Sequence, residues 1–190
     1  MQKTLTLIIL TFITIAKSQV IIGDAIGTAA NKTSVLLEFA SGKNKGIIVP
    51  YVRTLPTLAA AVSGSIILDA TNATTARMKY YNGTSWMDLS GQDANLTTPV
   101  NYMTVQPSAV SVPETSSSTV IIGDVPNPIP SGFPEGALVL NSNTKAMVLP
   151  QVDKVSDILS PSPGMMVYVN KSGAKRLAVF NGSKWSYWKP

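Results

Sequence analysis

The sequence predicts an all-β protein built from two tandem small β-sheet modules with tight hairpins, preceded by a signal peptide. Three observations predict it. Short β-branched segments recur twice in the same order. An Asn-Gly pair separates two strand-like segments in each copy. An uncharged apolar run follows a positive start at the amino terminus.

That start is Met1-Gln2-Lys3, followed by TLTLIILTFITIA (residues 4–16) and then Ala16-Lys17-Ser18, with small residues at the −3 and −1 positions. This is the three-part order of a secretory signal, with cleavage expected after Ser18. The run is shorter than the roughly 20 apolar residues of a spanning helix, and no second apolar span follows. Residues 1–18 are therefore read as a signal peptide and the product as exported, to the extracellular space, the cell surface or the periplasm, with no membrane span after cleavage.

The repeat sets the domain organisation. Val20-Ile21-Ile22-Gly23-Asp24 recurs as Val120-Ile121-Ile122-Gly123-Asp124, and Lys45–Pro50 (KGIIVP) as Lys145–Pro150 (KAMVLP). The Gly64-led segment SIIL recurs as the Gly164-led MMVY, all at an offset of 100. At an offset of 99, Arg77–Trp86 (RMKYYNGTSW) recurs as Arg176–Trp185 (RLAVFNGSKW). The reading is module 1 over 19–90, a Ser/Thr/Pro-rich linker over 91–119, and module 2 over 120–190. Short β-branched runs place strands near Val20–Ile22, Val35–Phe39, Gly46–Val49, Ser65–Leu68, Arg77–Tyr81 and Thr84–Leu89. Their counterparts lie near Val120–Ile122, Ala137–Leu140, Ala146–Leu149, Met165–Val169, Arg176–Phe180 and Ser183–Trp188. Thr54–Val62 and Val152–Leu159 are each read as a short helical turn, and Asn101–Val105 as an isolated strand inside the linker.

Each hairpin turns on Asn-Gly, which suits a two-residue type I′ turn. That register sets Tyr81 opposite Thr84 and Lys79 opposite Trp86, so that aromatics lie diagonal on one sheet face, with Phe180 and Trp185 equivalent in module 2. Such rings serve first as the closing face of a small core. Their second use is as a sugar platform. Tyr187 and Trp188, unmatched in module 1, are the leading candidates for an exposed contact, followed by Trp86 and Trp185.

The chain has no Cys and no His, which removes thiolate and imidazole chemistry and Cys/His zinc sites. The acids form no spaced metal motif, so no catalytic residue, metal or cofactor is assigned and the protein is read as a non-enzyme. Asp24 and Asp124 follow a glycine at a strand end, where Asp serves turn chemistry. Net charge is +5, falling to +3 once Lys3 and Lys17 leave with the signal. The basic residues are scattered rather than clustered, which argues against nucleic acid as partner.

The residues Ser34–Val52 (SVLLEFASGKNKGIIVPYV), the Gly64-led strand, and Met78–Leu89 (MKYYNGTSWMDL) together resemble a repeat module of bacterial secreted and surface proteins, similar to bacteriophage tail-fibre repeats. Where family members often carry Arg after the proline, this chain has Tyr51 and Gln151. The resemblance implies a β-rich fibre, adhesin or appendage module, often trimeric, without catalytic residues. Modules of about 70 residues bury little surface alone. The unbroken apolar runs Ile47–Val49, Ile66–Leu68 and Met165–Val167 ask for cover on both faces. Either the modules pack on each other or other subunits cover the runs. The expectation is a structural or adhesive protein that forms a homo-oligomer, favouring a trimer, with other surface proteins or glycans as further partners. Extracellular glycan binding through exposed aromatics is the alternative function.

Overall fold

The computed structural model describes residues 19–104, 119–124, 128–129 and 136–188. The signal-peptide reading falls on residues 1–18, outside them. The first repeat forms β1 (Val20–Ile22), β2 (Val35–Phe39), β3 (Ile47–Ile48), β4 (Tyr51–Val52), β5 (Ile66–Asp69), β6 (Arg77–Tyr81) and β7 (Trp86–Asp88). The second forms β8 (Val120–Gly123), β9 (Leu138–Asn141), β10 (Ala146–Met147), β11 (Gln151–Val152), β12 (Met165–Val169), β13 (Arg176–Phe180) and β14 (Trp185–Trp188). The only helical geometry among the described residues is two 3-10 turns, Tyr102–Thr104 and Val155–Asp157. The fold is all-β, and each repeat contributes the same series of strands.

Two pairing rules recur in both repeats. A strand runs on and returns to lie parallel beside its own continuation: Tyr51 pairs with Leu68 and Gln151 with Tyr168, each 17 residues later, and Val20 pairs with Leu37 by the same step. A dozen or more residues are needed for a parallel return, and here loops supply it, with nothing longer than the 3-10 turn Val155–Asp157 within them. This gives the chain a solenoid-like course. The second rule is the antiparallel meander β5-β6-β7, matched by β12-β13-β14.

The repeats are not two separate sheet modules, which corrects the tandem-module expectation. β10 of the second repeat pairs in parallel with β2 of the first, and β3 of the first pairs antiparallel with β12 of the second. The main core cluster likewise draws Val49, Leu68, Met78 and Leu89 from the first repeat and Met166 and Val179 from the second. The physical reason is area. A two-residue strand such as β3 or β10 has too little surface to hold its own sheet, and Met165 and Met166, which β3 pairs with, are buried. A second cluster lies wholly in the second repeat, around Val152, Ile158, Val167 and Phe180.

Part of the stretch read as linker is packed. Ala94 bridges Ala76, and Ala94 and Leu96 lie in the main core. Asn101–Val105, read as a strand, instead holds the first 3-10 turn, where Tyr102 N–H donates to Leu96 and Val100 carbonyls. Residues 105–118 lie outside the described residues. Thr54–Val62 makes hydrogen-bonded turns at Thr57–Ala61 rather than a helix, and Val152–Leu159 carries the second 3-10 turn. The two-residue strands β4 and β11 follow Pro50 and Pro150 and were not visible as separate strands in the sequence.

Candidate functional site

The junction between the repeats is crossed by both backbone and side-chain hydrogen bonds. On one side, Ala146 N–H donates to Ser34 O (2.8 Å) and Val148 N–H to Leu37 O (2.8 Å). On the other, Val49 N–H donates to Gly164 O (3.1 Å). Side chains cross it too. Tyr51 Oη donates to Pro163 O (2.9 Å), Gln92 Nε2 to Ser186 Oγ (3.0 Å), Asn181 Nδ2 to Gln92 O (2.9 Å) and Trp188 Nε1 to Leu89 O (3.1 Å). Burial, with a smaller push from Tyr102, raises the Tyr51 phenol to about 12. Gly46 lets the backbones close: a Cβ there would lie 2.4 Å from Met165 Cγ and 2.9 Å from Met166 O.

The hairpins depart from the two-residue register. Tyr81 lies directly opposite Trp86, and Phe180 directly opposite Trp185. The loop therefore has four residues. Gly83 and Gly182 take positive φ (97° and 107°), but Asn82 and Asn181 do not, so the paired left-handed geometry of a type I′ turn is absent. Each Asn instead turns its carboxamide inward: Asn82 Oδ1 accepts from Thr84 and Ser85 N–H (2.9 and 2.8 Å), and Asn181 Oδ1 from Ser183 and Lys184 N–H (3.0 and 2.9 Å). The aromatics consequently meet across the strands rather than diagonally. Ring centroids are 5.3 Å apart in the first repeat and 5.2 Å in the second, tilted by 47° and 43°. This is a favourable tilted contact.

Glu38 is fully buried in β2, and the sequence reading did not single it out. Its carboxylate accepts from Lys32 Nζ (2.5 Å), Gln19 Nε2 (2.5 Å), and Thr28 and Ala29 N–H (2.9 Å each). Burial, the largest influence, pushes its pKa up. The Lys32 ammonium and the two amides together outweigh that, and the net direction is down. The signal was present as a lone acid in an apolar strand with Lys32 six residues before it. Asp24 does serve a turn: Oδ1 accepts from Ile26 and Gly27 N–H (2.9 and 2.6 Å), which, led by Gly27, hold its pKa down.

The candidate contact residues are spread over the surface rather than gathered. Trp86 is half-buried and its Nε1 donates to Pro56 O (3.3 Å). Trp185 packs on Phe180 beside the second core cluster. Tyr187 and Trp188 are exposed, but adjacent residues of a strand face opposite ways. Tyr187 shares its face with Trp185 and carries the Arg176 guanidinium 4.6 Å from its ring centre, whereas Trp188 reaches back to Leu89. An open polar depression is lined by Asp153, Lys154, Asp157, Asn170, Lys171 and Ser172. Among the described residues no cluster of three acids, His or Cys is placed to hold a metal, and no helix is long and apolar enough to cross a membrane.

The family model described as a phage tail like trimerisation region matches residues 25–118 and 127–189 of the chain. No curated protein and no solved structure matches it.

Proposed function

The chain belongs to the phage tail like trimerisation region family, and on that premise we propose that it is a non-catalytic structural subunit of an exported, tail-fibre-like surface appendage, working as a homotrimer with an adhesive role. The observation that carries the reading is that a repeat of this chain is completed by strands from another repeat, so strand exchange between repeats is already its mode of packing. Exposed apolar strand residues, among them Ile22, Ile48, Val120 and Leu138, supply area for further association.

Sedimentation equilibrium on the purified chain tests it. A mass three times that of one chain, retained at micromolar concentration, is the expected result. A stable single-chain species would overturn it. Export rests on the amino-terminal signal pattern. Sequencing of the extracellular form should begin at Gln19, and an intact Met1 confined to the cytoplasmic fraction would contradict it. For adhesion, glycans are the partner class that exposed Tyr187 and Trp188 would serve. Array binding lost in Trp188→Ala, at unchanged native mass, is the expected support.

A further inference from the structure

We propose that neighbouring chains join by reproducing, in register, the junction that joins the two repeats within one chain: β10 of one chain adds to the Gly64–Ile66 edge of β5 in the next, and β9 of the first chain receives β3 of the next. The inference rests on the trimeric reading above and specifies its interface.

Equivalent strands of the two repeats are used unequally. The two repeats present their strands in the same order, so β3 corresponds to β10, β2 to β9 and β5 to β12. Within the chain, the third strand of repeat 1 lies on the fifth strand of repeat 2, and the third strand of repeat 2 lies on the second strand of repeat 1. Each of these third strands thus uses one edge. Backbone direction shows which edge is left. Val49 N–H points to β12, so Ile48 N–H, one residue earlier, points away from it. Val148 N–H points to β2, so Leu149 N–H points away from that strand. The two remaining hosts are β9 and the start of β5, to which no strand is added at those positions among the described residues.

Burial follows the same division. Where the host is used, Leu37 is 1% exposed and Met166 4%. Where it is not, Leu138 is 47% exposed and Ile66 is only half-buried, and Ile48 on the unused edge of β3 is 48% exposed. An apolar strand edge of this kind is a template for another strand.

The side chains at the unused edges are matched in size. Position 46 is Gly against Met165 in the internal junction, and any Cβ there would strike Met165 Cγ. In the second repeat the equivalent residue is Ala146, and the residue it would meet, equivalent to Met165, is Ser65, whose short side chain can turn aside. The bulkier third strand faces the smaller host. Carrying over the internal registers puts Ser65 opposite Val148, Ile66 opposite Met147 and Leu149 N–H on Gly64 O. The same transfer puts Ile47 beside Leu138 and Ile48 N–H on Leu138 O. Both contacts link repeat 2 of one chain to repeat 1 of the next, so a single heterologous docking satisfies them. Such an interface generates a ring when its rotation closes.

The absence of cysteine gives a clean background for the test. In the internal junction Met165 and Ile48 form the non-hydrogen-bonded pair, where Cα atoms come closest and a disulfide fits. Its counterpart between chains is Ser65 with Val148. Oxidised Ser65→Cys/Val148→Cys should run as covalent species of up to three chains and return to one chain on reduction. Ile48→Cys/Met165→Cys should close within a single chain. A native trimer in which the Ser65/Val148 pair stays unlinked, or closes within one chain, would overturn the interface while leaving the trimeric reading intact; a single-chain species in sedimentation would sink both. For the other half of the junction, Leu138→Lys sits at an exposed site and should weaken association at least tenfold. Unchanged association would overturn that half.

Discussion

A carboxylate shut off from water persists at position 38 because four donors share it. Hydrogen bonds to a charged group are worth roughly 1.5–3 kcal/mol, and Glu38→Gln should lower stability by about that amount at neutral pH, read by denaturant melts. The pH dependence has a definite sign. The carboxyl titrates below its ordinary 4.5 in the folded chain, so the unfolded chain binds the proton first as pH falls. The stability it contributes is complete above pH 4.5 and is lost as pH drops through the folded value. Glu38→Gln should flatten the acid limb of a Tm-against-pH curve. Tyr51 acts in the opposite direction. With its phenol raised from 10 to about 12, the stability it contributes is complete below pH 10 and is lost between 10 and 12. Tyr51→Phe should remove that alkaline loss, and ultraviolet titration should show one fewer late-ionising tyrosine. The hairpin glycines are unequal. Both hold positive φ, where Val is strained by roughly 1–3 kcal/mol. A Cβ at Gly182 would also meet Leu96 and Pro163 at 2.7 and 2.9 Å, whereas at Gly83 only the Ser63 hydroxyl stands that near. Gly182→Val should therefore lower Tm more than Gly83→Val.

At the scale of strands, the third strand of each repeat decides how the molecule holds together. Gly46→Ala drives a methyl into Met165 and the Met166 carbonyl. Overpacking of this kind costs typically 1–3 kcal/mol, so chemical denaturation of the variant should show that loss, and an unchanged midpoint would contradict the close approach of β3 to β12. The strands themselves were largely legible. Runs such as Val35–Phe39, Arg77–Tyr81 and Met165–Val169 are long and β-branched or apolar enough to declare themselves. β4 and β11 were not, because two residues after a proline carry no periodicity and exist only through their parallel neighbours. The hairpin register slipped by two because Asn-Gly alone does not say whether Asn turns its backbone or its carboxamide. Glu38 escaped notice because burial of an acid depends on loop amides at Thr28 and Ala29 that only the folded chain brings near.

For the whole molecule, the repeat was plain in the sequence, yet its consequence was not. Two similar segments suggest two similar bodies. Nothing in KGIIVP or KAMVLP states whether the strand completes its own repeat or another, since the same apolar pair suits either host. Packing settled it: β3 on Met165 and Met166, and β10 on Leu37, join the repeats into one core. The candidate aromatics were expected to lie diagonal across each hairpin; the structure instead sets Tyr81 directly opposite Trp86 and Phe180 directly opposite Trp185, and the surface pair Tyr187 and Trp188 splits to opposite faces. Under the proposed junction the chain is one segment of a series of repeats continued by other copies. Hydrogen exchange at two amides tests this most directly. In the assembled protein Ile48 and Leu149 N–H should exchange as slowly as Val49 and Val148, whose acceptors lie in the same chain. Fast, loop-like exchange at Ile48 and Leu149, alongside protected Val49 and Val148, would contradict it.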